Sequence, residues 1–440
     1  MAFRSKGVSL FALVSFAVSG CGGGSGGSSG GTGGGGGGNP ATVTVNFTGE
    51  TPTAVATQIG SGAFTAATVT SNHVTLTVPA GTTKFAVAYA CQTVNGSGSS
   101  QTTFTFQNVI EASTLDGTSF SQACGALPLG VTGTLTGDAD ASAIAGASYI
   151  GVTASNGGGS ESSFLSGSSS NFNLSMPSGT DRVAVGAYSY TASSQFGGNS
   201  VWTLEAIRNF TGVAVPGAVN NGFPVTLGTA DAVTLQPITY QNLPSGFTAP
   251  STFALFVWNG GGSLILSNGL TTQYPAVPSA AVENGDYYTF QSTAQTNLPS
   301  GIVEEVFVIT STTANMPLQV AFPAAWAYAG PAPAAQPVFE FSGASIGGKT
   351  GVTALGELVW NIGSSTKIET SVQATGNYLN GSTTLAFPSL SGLSGFASPA
   401  SGSQASWFAS VSQSSAGALQ PIGKNGTSTG VANLGTFAVP

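Results

Sequence analysis

Residues 74–90, VTLTVPAGTTKFAVAYA, return as residues 172–188, FNLSMPSGTDRVAVGAY, without a gap and at a spacing of 98. Leu76, Pro79, Gly81, Thr82, Ala86 and Val87 recur as Leu174, Pro177, Gly179, Thr180, Ala184 and Val185, while Lys84 is matched by Arg182 and Val78 by Met176. The unit reads as strand, tight turn, strand. Val74, Leu76 and Val78 alternate with threonines, Pro79 and Gly81 fix a turn, and Phe85, Val87 and Tyr89 alternate again. A hairpin of this kind buries one face, so it requires a sheet around it and a second layer on top. At the same spacing, Phe104-Thr105-Phe106 becomes Trp202-Thr203-Leu204, and this second match in register marks a duplicated domain.

The composition agrees with strands throughout. The chain has 440 residues, 64 of them Gly, with 5 % charged residues and 41 % apolar ones. That length implies about three or four domains of roughly 100–150 residues. Thr, Ser, Val and Gly disfavour helices and suit strands with polar outer faces. Mean hydropathy is +0.25, yet beyond the N-terminus no apolar run approaches the ~18–20 residues of a spanning helix. The net charge of −8 grows more negative once a leader carrying Arg4 and Lys6 is removed. The remaining cations are scattered and form no basic stripe, which excludes a nucleic-acid partner.

Taken in order, residues 1–21, MAFRSKGVSLFALVSFAVSGC, carry a basic start, an apolar core and small residues before Cys21. Residues 22–40 are almost entirely Gly and Ser and form a coil spacer of about 25 Å. Four β-modules follow, at 41–130, 131–227, 228–335 and 336–440. The third ends in a Pro/Ala-rich segment, residues 323–337, expected to run as a semi-extended linker on which Trp326 and Tyr328 can dock locally. Strands of five to eight residues with turns every 8–12 give the fold class: all-β, tandem antiparallel β-sandwich modules after a signal peptide and a Gly-rich tether.

Val18-Ser19-Gly20-Cys21 resembles the lipobox of bacterial lipoproteins, in which the cysteine is lipidated and becomes the mature N-terminus. The resemblance covers the first 21 residues and implies a membrane partner through a lipid on Cys21, with Gly22 favouring outer-membrane sorting. The modules resemble tandem extracellular sandwiches of the fibronectin type III, immunoglobulin-like and transthyretin-like kinds. That second resemblance is one of strand pattern and brings no functional residues with it.

Candidate chemistry is sparse. His73, the single histidine, sits at the head of a strand beside a turn, and its counterpart in the repeat is Asn171. One His and three Cys without clustering do not supply the ligands of a zinc site. Glu304 and Glu305 alternate across a strand and point to opposite faces, whereas Asp138 and Asp140 lie in a GDAD stretch read as a turn. Solvated carboxylates are the expectation for all four. No catalytic residue, metal or cofactor is assigned. Trp202, Trp258, Trp360 and Trp407 fall in apolar strand patterns and are expected in cores, which leaves Trp326 as the candidate ligand contact.

Cys91 and Cys124 both fall in the first module, and an exported chain meets a disulfide-permissive compartment. They are expected to pair as a staple absent from the second module, where Ser189 and Gly222 take their places. The functional expectation is a non-enzymatic, surface-anchored lipoprotein of the cell envelope with structural or adhesive modules. The alternatives are a binder of glycan or another envelope polymer and, third, a carboxylate-based hydrolase. Beyond the membrane, the partner expected is an envelope polymer or a surface protein.

Overall fold

Alternation of β-branched and polar residues produces strands in four successive groups. The computed structural model describes residues 39–95, 102–125, 132–155, 160–177, 179–192, 200–215, 219–220, 223–326, 328–344, 350–363, 366–390, 392–420, 422 and 424–440. The first group holds β1 (Ala41–Gly49), β2 (Ala54–Ile59), β3 (Thr65–Ala66), β4 (His73–Val78), β5 (Lys84–Asn95), β6 (Thr102–Ser113) and β7 (Ser119–Cys124). The second holds β8 (Thr132–Asp140), β9 (Tyr149–Ser155), β10 (Ser160–Ser166), β11 (Ser169–Pro177), β12 (Gly179–Ala192), β13 (Ser200–Val215), β14 (Val219–Asn220) and β15 (Val225–Thr226). The third runs through β16 (Thr234–Gln241), β17 (Ser251–Val257), β18 (Ser263–Leu270), β19 (Gln273–Ala276), β20 (Tyr287–Asn297), β21 (Val303–Thr312) and β22 (Leu318–Ala321). The fourth comprises β23 (Val338–Glu340), β24 (Val352–Ile362), β25 (Thr366–Thr375), β26 (Thr384–Ala386), β27 (Gln404–Ser414) and β28 (Thr427–Ala438).

Each group is wired alike. The first strand pairs antiparallel with the fourth and, in the first three groups, parallel with a strand near the group's end. The second strand pairs with the third and fifth, and the fifth with the sixth. Two layers result, as a one-faced sheet requires. An immunoglobulin constant domain instead places its first strand in one sheet with its second, fourth and fifth. This wiring therefore separates the chain from the immunoglobulin-like kind.

The repeated stretch is not a hairpin. β4 belongs to the small sheet and pairs with β1, whereas β5 belongs to the large one and pairs with β2 and β6. β11 and β12 divide in the same way. The reason lies in the turn. Thr82 N–H donates to Pro79 O at 3.1 Å and Gly81 has φ +82°, the glycine position of a type II turn. Type II geometry splays flanking strands instead of matching their twist, so it sends the chain across to the opposite layer.

The four large layers are joined edge to edge into one 16-stranded sheet in the order β10-β9-β12-β13-β18-β17-β20-β21-β28-β27-β24-β25-β6-β5-β2-β3. In space the groups therefore run second, third, fourth, first. The joint between the fourth and first groups is the parallel pairing of β25 with β6, and that between the second and third is the contact Thr203↔Ser267.

This joining explains why residues 85–91, FAVAYAC, are buried without a break. Phe85, Val87, Tyr89 and Cys91 pack with Val43, Val45 and Phe120 of the small sheet. Ala86 and Ala88 face the other way and share a core with Val372, Ala374 and Leu390 of the fourth group. Residues 182–188 of β12 are buried in the same continuous fashion, with Val183, Val185 and Ala187 in one core and Ala184 and Tyr188 in another.

Candidate functional site

Cys21 lies outside the described residues. Cys91 and Cys124 are bonded, with S–S 2.06 Å and Cα–Cα 5.4 Å. Cys91 stands within β5 and Cys124 ends β7, so the bond ties the large layer of the first group to its small one. It is a cross-layer staple.

Trp326, singled out for exposure, is buried. It is 2 % exposed, its ring stacks on Tyr328 at 4.7 Å and lies 5.4 Å from Phe341, and its backbone is held on both sides. Its N–H donates to Glu304 Oε1, and its carbonyl accepts from Asn433 Nδ2 at 3.0 Å. Glu304 is on β21 and Asn433 on β28, so this part of the Pro/Ala-rich segment is docked where the third and fourth groups meet. A stack of aromatic side chains buries more apolar surface than a free linker, and the charged and amide side chains satisfy the backbone that goes in with it.

The half-exposed tryptophan is Trp202. With Tyr149, Phe164 and Tyr190 it forms an aromatic cluster on β9, β10, β12 and β13, with ring centroids 4.4–5.6 Å apart. Phe164 and Tyr190 are 38 % and 40 % exposed. Interplanar angles in the cluster are 47–73°, so the rings meet tilted or edge to face and none of these pairs is coplanar. Beneath them lies Tyr188, whose hydroxyl donates to Ile265 O at 2.8 Å in the third group. Its ring rests over Gly151 and Gly186, which face each other in register. A Cβ on Gly151 would stand 2.5 Å from Tyr188 Cε2, so glycine makes room for the ring. A single Trp-Thr-Leu match within an apolar pattern gave no sign of this exposure.

The acidic residues divide. Asp138 is exposed and Asp140 half-buried, and both belong to β8 instead of a turn. The Ser142 N–H, donating to Asp140 Oδ1 at 2.9 Å, holds that carboxyl below the ordinary Asp range. Glu304 and Glu305, expected in solvent, are buried. Burial raises both, Glu305 to about 7. Burial is also the largest cause of a rise at Glu357 on β24 and at Glu369 on β25. Ser371 faces Glu357 in the antiparallel register, which makes Glu369 its diagonal neighbour. Their mutual repulsion raises Glu357 further, and Lys367 opposes the rise. Both carboxyls are thus held more readily in the protonated form than a solvated Glu. Among the described residues no cluster of three or more His, Cys, Asp or Glu is placed to hold a metal.

The seam between the fourth and first groups is crossed by side-chain hydrogen bonds. Asp116, just beyond β6, accepts from Ser113 N–H, from Thr375 Oγ1 at 2.5 Å and from Asn377 Nδ2 at 2.6 Å. Ser371 Oγ donates to Asn108 Oδ1 at 2.7 Å. Tyr378, in the helical turn Gly376–Leu379, hydrogen-bonds Glu111 and lies 5.0 Å beneath Lys84 Nζ. Residues 392–399 also reach the first group, where Ala397 N–H donates to Gln107 Oε1 at 3.1 Å. Gly395 approaches β2 so closely that a Cβ would meet Ala54 Cβ at 2.4 Å. An open groove of about 530 Å³ lies between Gln58, Ala63 and Phe64 of the first group and Pro388, Ser389, Gly392 and Leu393 of the fourth. A smaller cavity of about 20 Å³ also has Pro388 in its wall.

No family model matches the sequence, and no curated protein matches it either. Among solved structures the chain is similar to the Bacillus anthracis TIE protein, at 11 % identity and TM-score 0.14, over 64 % of this chain and 50 % of that one. It is also similar to the pilus adhesin SpaC from Lactobacillus rhamnosus GG, at 10 % identity and TM-score 0.13, over 76 % of this chain and 43 % of that one. The chain thus spans about half the length of the first and less of the second. Scores this low carry no conclusion about function. Among the described residues no helix is long and apolar enough to cross a membrane.

Proposed function

We propose that the protein is a non-enzymatic cell-envelope protein, anchored by a lipid on Cys21, whose β-modules serve a structural or adhesive role. The observation that supports this reading most is the single 16-stranded sheet that passes through all four strand groups. A chain of sandwiches on flexible linkers would swing at each joint. Here ladder hydrogen bonds, the docked Trp326 and the Asp116 clamp join neighbouring groups, an arrangement suited to bearing load. The Gly/Ser stretch at residues 22–40 supplies reach from the membrane.

The test is attachment. Cells that display the chain are compared with cells that display a Cys21→Ser version, for fatty-acid incorporation and for adhesion to surfaces and envelope polymers. Label on the parent alone, with adhesion lost in the variant, is the expected result. Incorporation that persists in Cys21→Ser removes Cys21 as the acceptor. Turnover of a glycoside or ester by the purified chain, lost in Glu357→Gln, would replace this reading with the hydrolase.

A second reading, a glycan or envelope-polymer binder, is favoured by the cluster of Tyr149, Phe164, Tyr190 and Trp202. Retention on a polymer array that disappears in Trp202→Ala supports it, and absence of retention in the parent ends it.

A further inference from the structure

Three polar side chains meet at the 20 Å³ cavity of the seam. Gln107 on β6, Trp360 on β24 and Thr370 on β25 all line it, and each is at least nine-tenths buried. The ladder explains their meeting. Leu358 faces Thr370 and Thr370 faces Gln107, so one row crosses three strands, and Trp360 lies two residues along from Leu358. Gln107 Nε2, Trp360 Nε1 and Thr370 Oγ1 have no hydrogen-bond partner within the protein. The direction of the Gln107 amide is set, because Ala397 N–H donates to its Oε1 at 3.1 Å and leaves the NH2 group for the cavity.

We propose that this cavity is a built site for one water molecule, which bridges the first strand group to the fourth. The water accepts from Gln107 Nε2–H and Trp360 Nε1–H and donates to Thr370 Oγ1. Size admits such an occupant, since about 20 Å³ exceeds the roughly 10–15 Å³ that one water needs. Charge selects it too. The remaining wall is Ala335, Gln336, Leu358, Phe387, Pro388, Leu390, Ala397, Ser398 and Pro399, with no ionisable side chain to balance an anion or a cation. Energetics point the same way. Three orphaned polar atoms in one place carry a desolvation cost that a shared water removes. The site lies where the N-terminal and C-terminal groups meet, so its occupant completes the β25–β6 joint.

Crystals of the exported chain, with and without a bromide soak, test the proposal directly. Density for a water within about 3.2 Å of all three atoms is the expected result. A dry cavity overturns it, and so does an anomalous bromide peak, which would make this a halide site. Thr370→Val supplies a second readout in solution. With water bound, the change removes a partner and lowers the unfolding midpoint by roughly 2 °C. If the hydroxyl is a true orphan, the same change relieves its cost, so an unchanged or raised midpoint overturns the proposal.

Discussion

Arg182 and Asp286 form a two-pronged buried ion pair between the second and third strand groups, with Nη1 and Nη2 each 2.8 Å from a carboxylate oxygen. The guanidinium also donates to Ala281 O and lies 5.0 Å from the Trp258 ring centre. Asp286 is completed by the N–H groups of Asn259 and Glu283. In the repeat Arg182 corresponds to Lys84, which lies over Tyr378 of the fourth group. The same position of the duplicated stretch thus docks two different groups onto two different neighbours.

Removing one partner of a buried pair strands the other. Arg182→Ala is expected to cost about 3–5 kcal/mol. Urea denaturation of the purified chain measures it, and a loss below about 1 kcal/mol would show the pair to be incidental. Lys84→Ala, which removes a half-exposed cation, is expected to cost well under half as much.

The disulfide closes a loop between residues separated by 33 positions. Chain entropy assigns it about 3–4 kcal/mol. Replacing both Cys91 and Cys124 by Ala should lower the unfolding free energy by that amount, and reductant should affect the parent but not the double variant. Two free thiols at these positions in the unreduced exported protein would contradict the bond.

Stability should fall as pH rises from about 4.5 to about 7. Burial raises Glu305 to about 7, and raises Glu111 to about 7 against the opposing pull of Tyr378 and Lys84. In the unfolded chain such groups ionise near pH 4.3. The folded state therefore holds the extra protons between about pH 4.5 and 7, and each increment of pH in that window favours unfolding. The contribution is complete below pH 4 and gone above about pH 7, with Glu305 responsible for about 3 kcal/mol. Midpoints recorded from pH 4 to 8 should decline and then level, and Glu305→Gln should flatten the decline. A stability maximum at pH 7 to 8 would refute it. Asp140, held low, acts in the opposite sense and at the acid end only.

Trp326→Ala should cost about 3–5 kcal/mol, the penalty of emptying a large buried site. Trp202→Ala, in the half-exposed cluster, should cost less than about 2 kcal/mol while altering the surface presented to any polymer. Thermal unfolding of the two variants side by side checks this, and equal losses would place both rings in the core.

Period-2 patterns made the all-β class legible. Other features were hidden for physical reasons. Pro79 and Gly81 announce a turn, but only the pairing partners of β4 and β5 reveal that the turn changes layers. Residues 85–91 read as one-faced because Ala86 and Ala88 are small enough to pass as spacers, although both are buried against the fourth group. Trp326 stood in a proline-rich run without periodicity, and its burial depends on Glu304 and Asn433, which are 22 and 107 residues away. Glu304 and Glu305 looked like solvent residues because a strand pattern names the outer face without saying what lies on it.

The parallel joint of β25 with β6 also sets a timetable for assembly. Ser371 and Asn108, bonded across it, are 263 residues apart. A chain that crosses a membrane from its N-terminus delivers the first strand group to the far side long before its neighbour exists. Until the last quarter of the polypeptide emerges, Ala86, Ala88 and Val109 stay wet and the β6 edge stays open to stray strands. The oldest part of the newborn protein is therefore the last to be finished, and an exported chain truncated before residue 366 is left with a permanently unpaired edge.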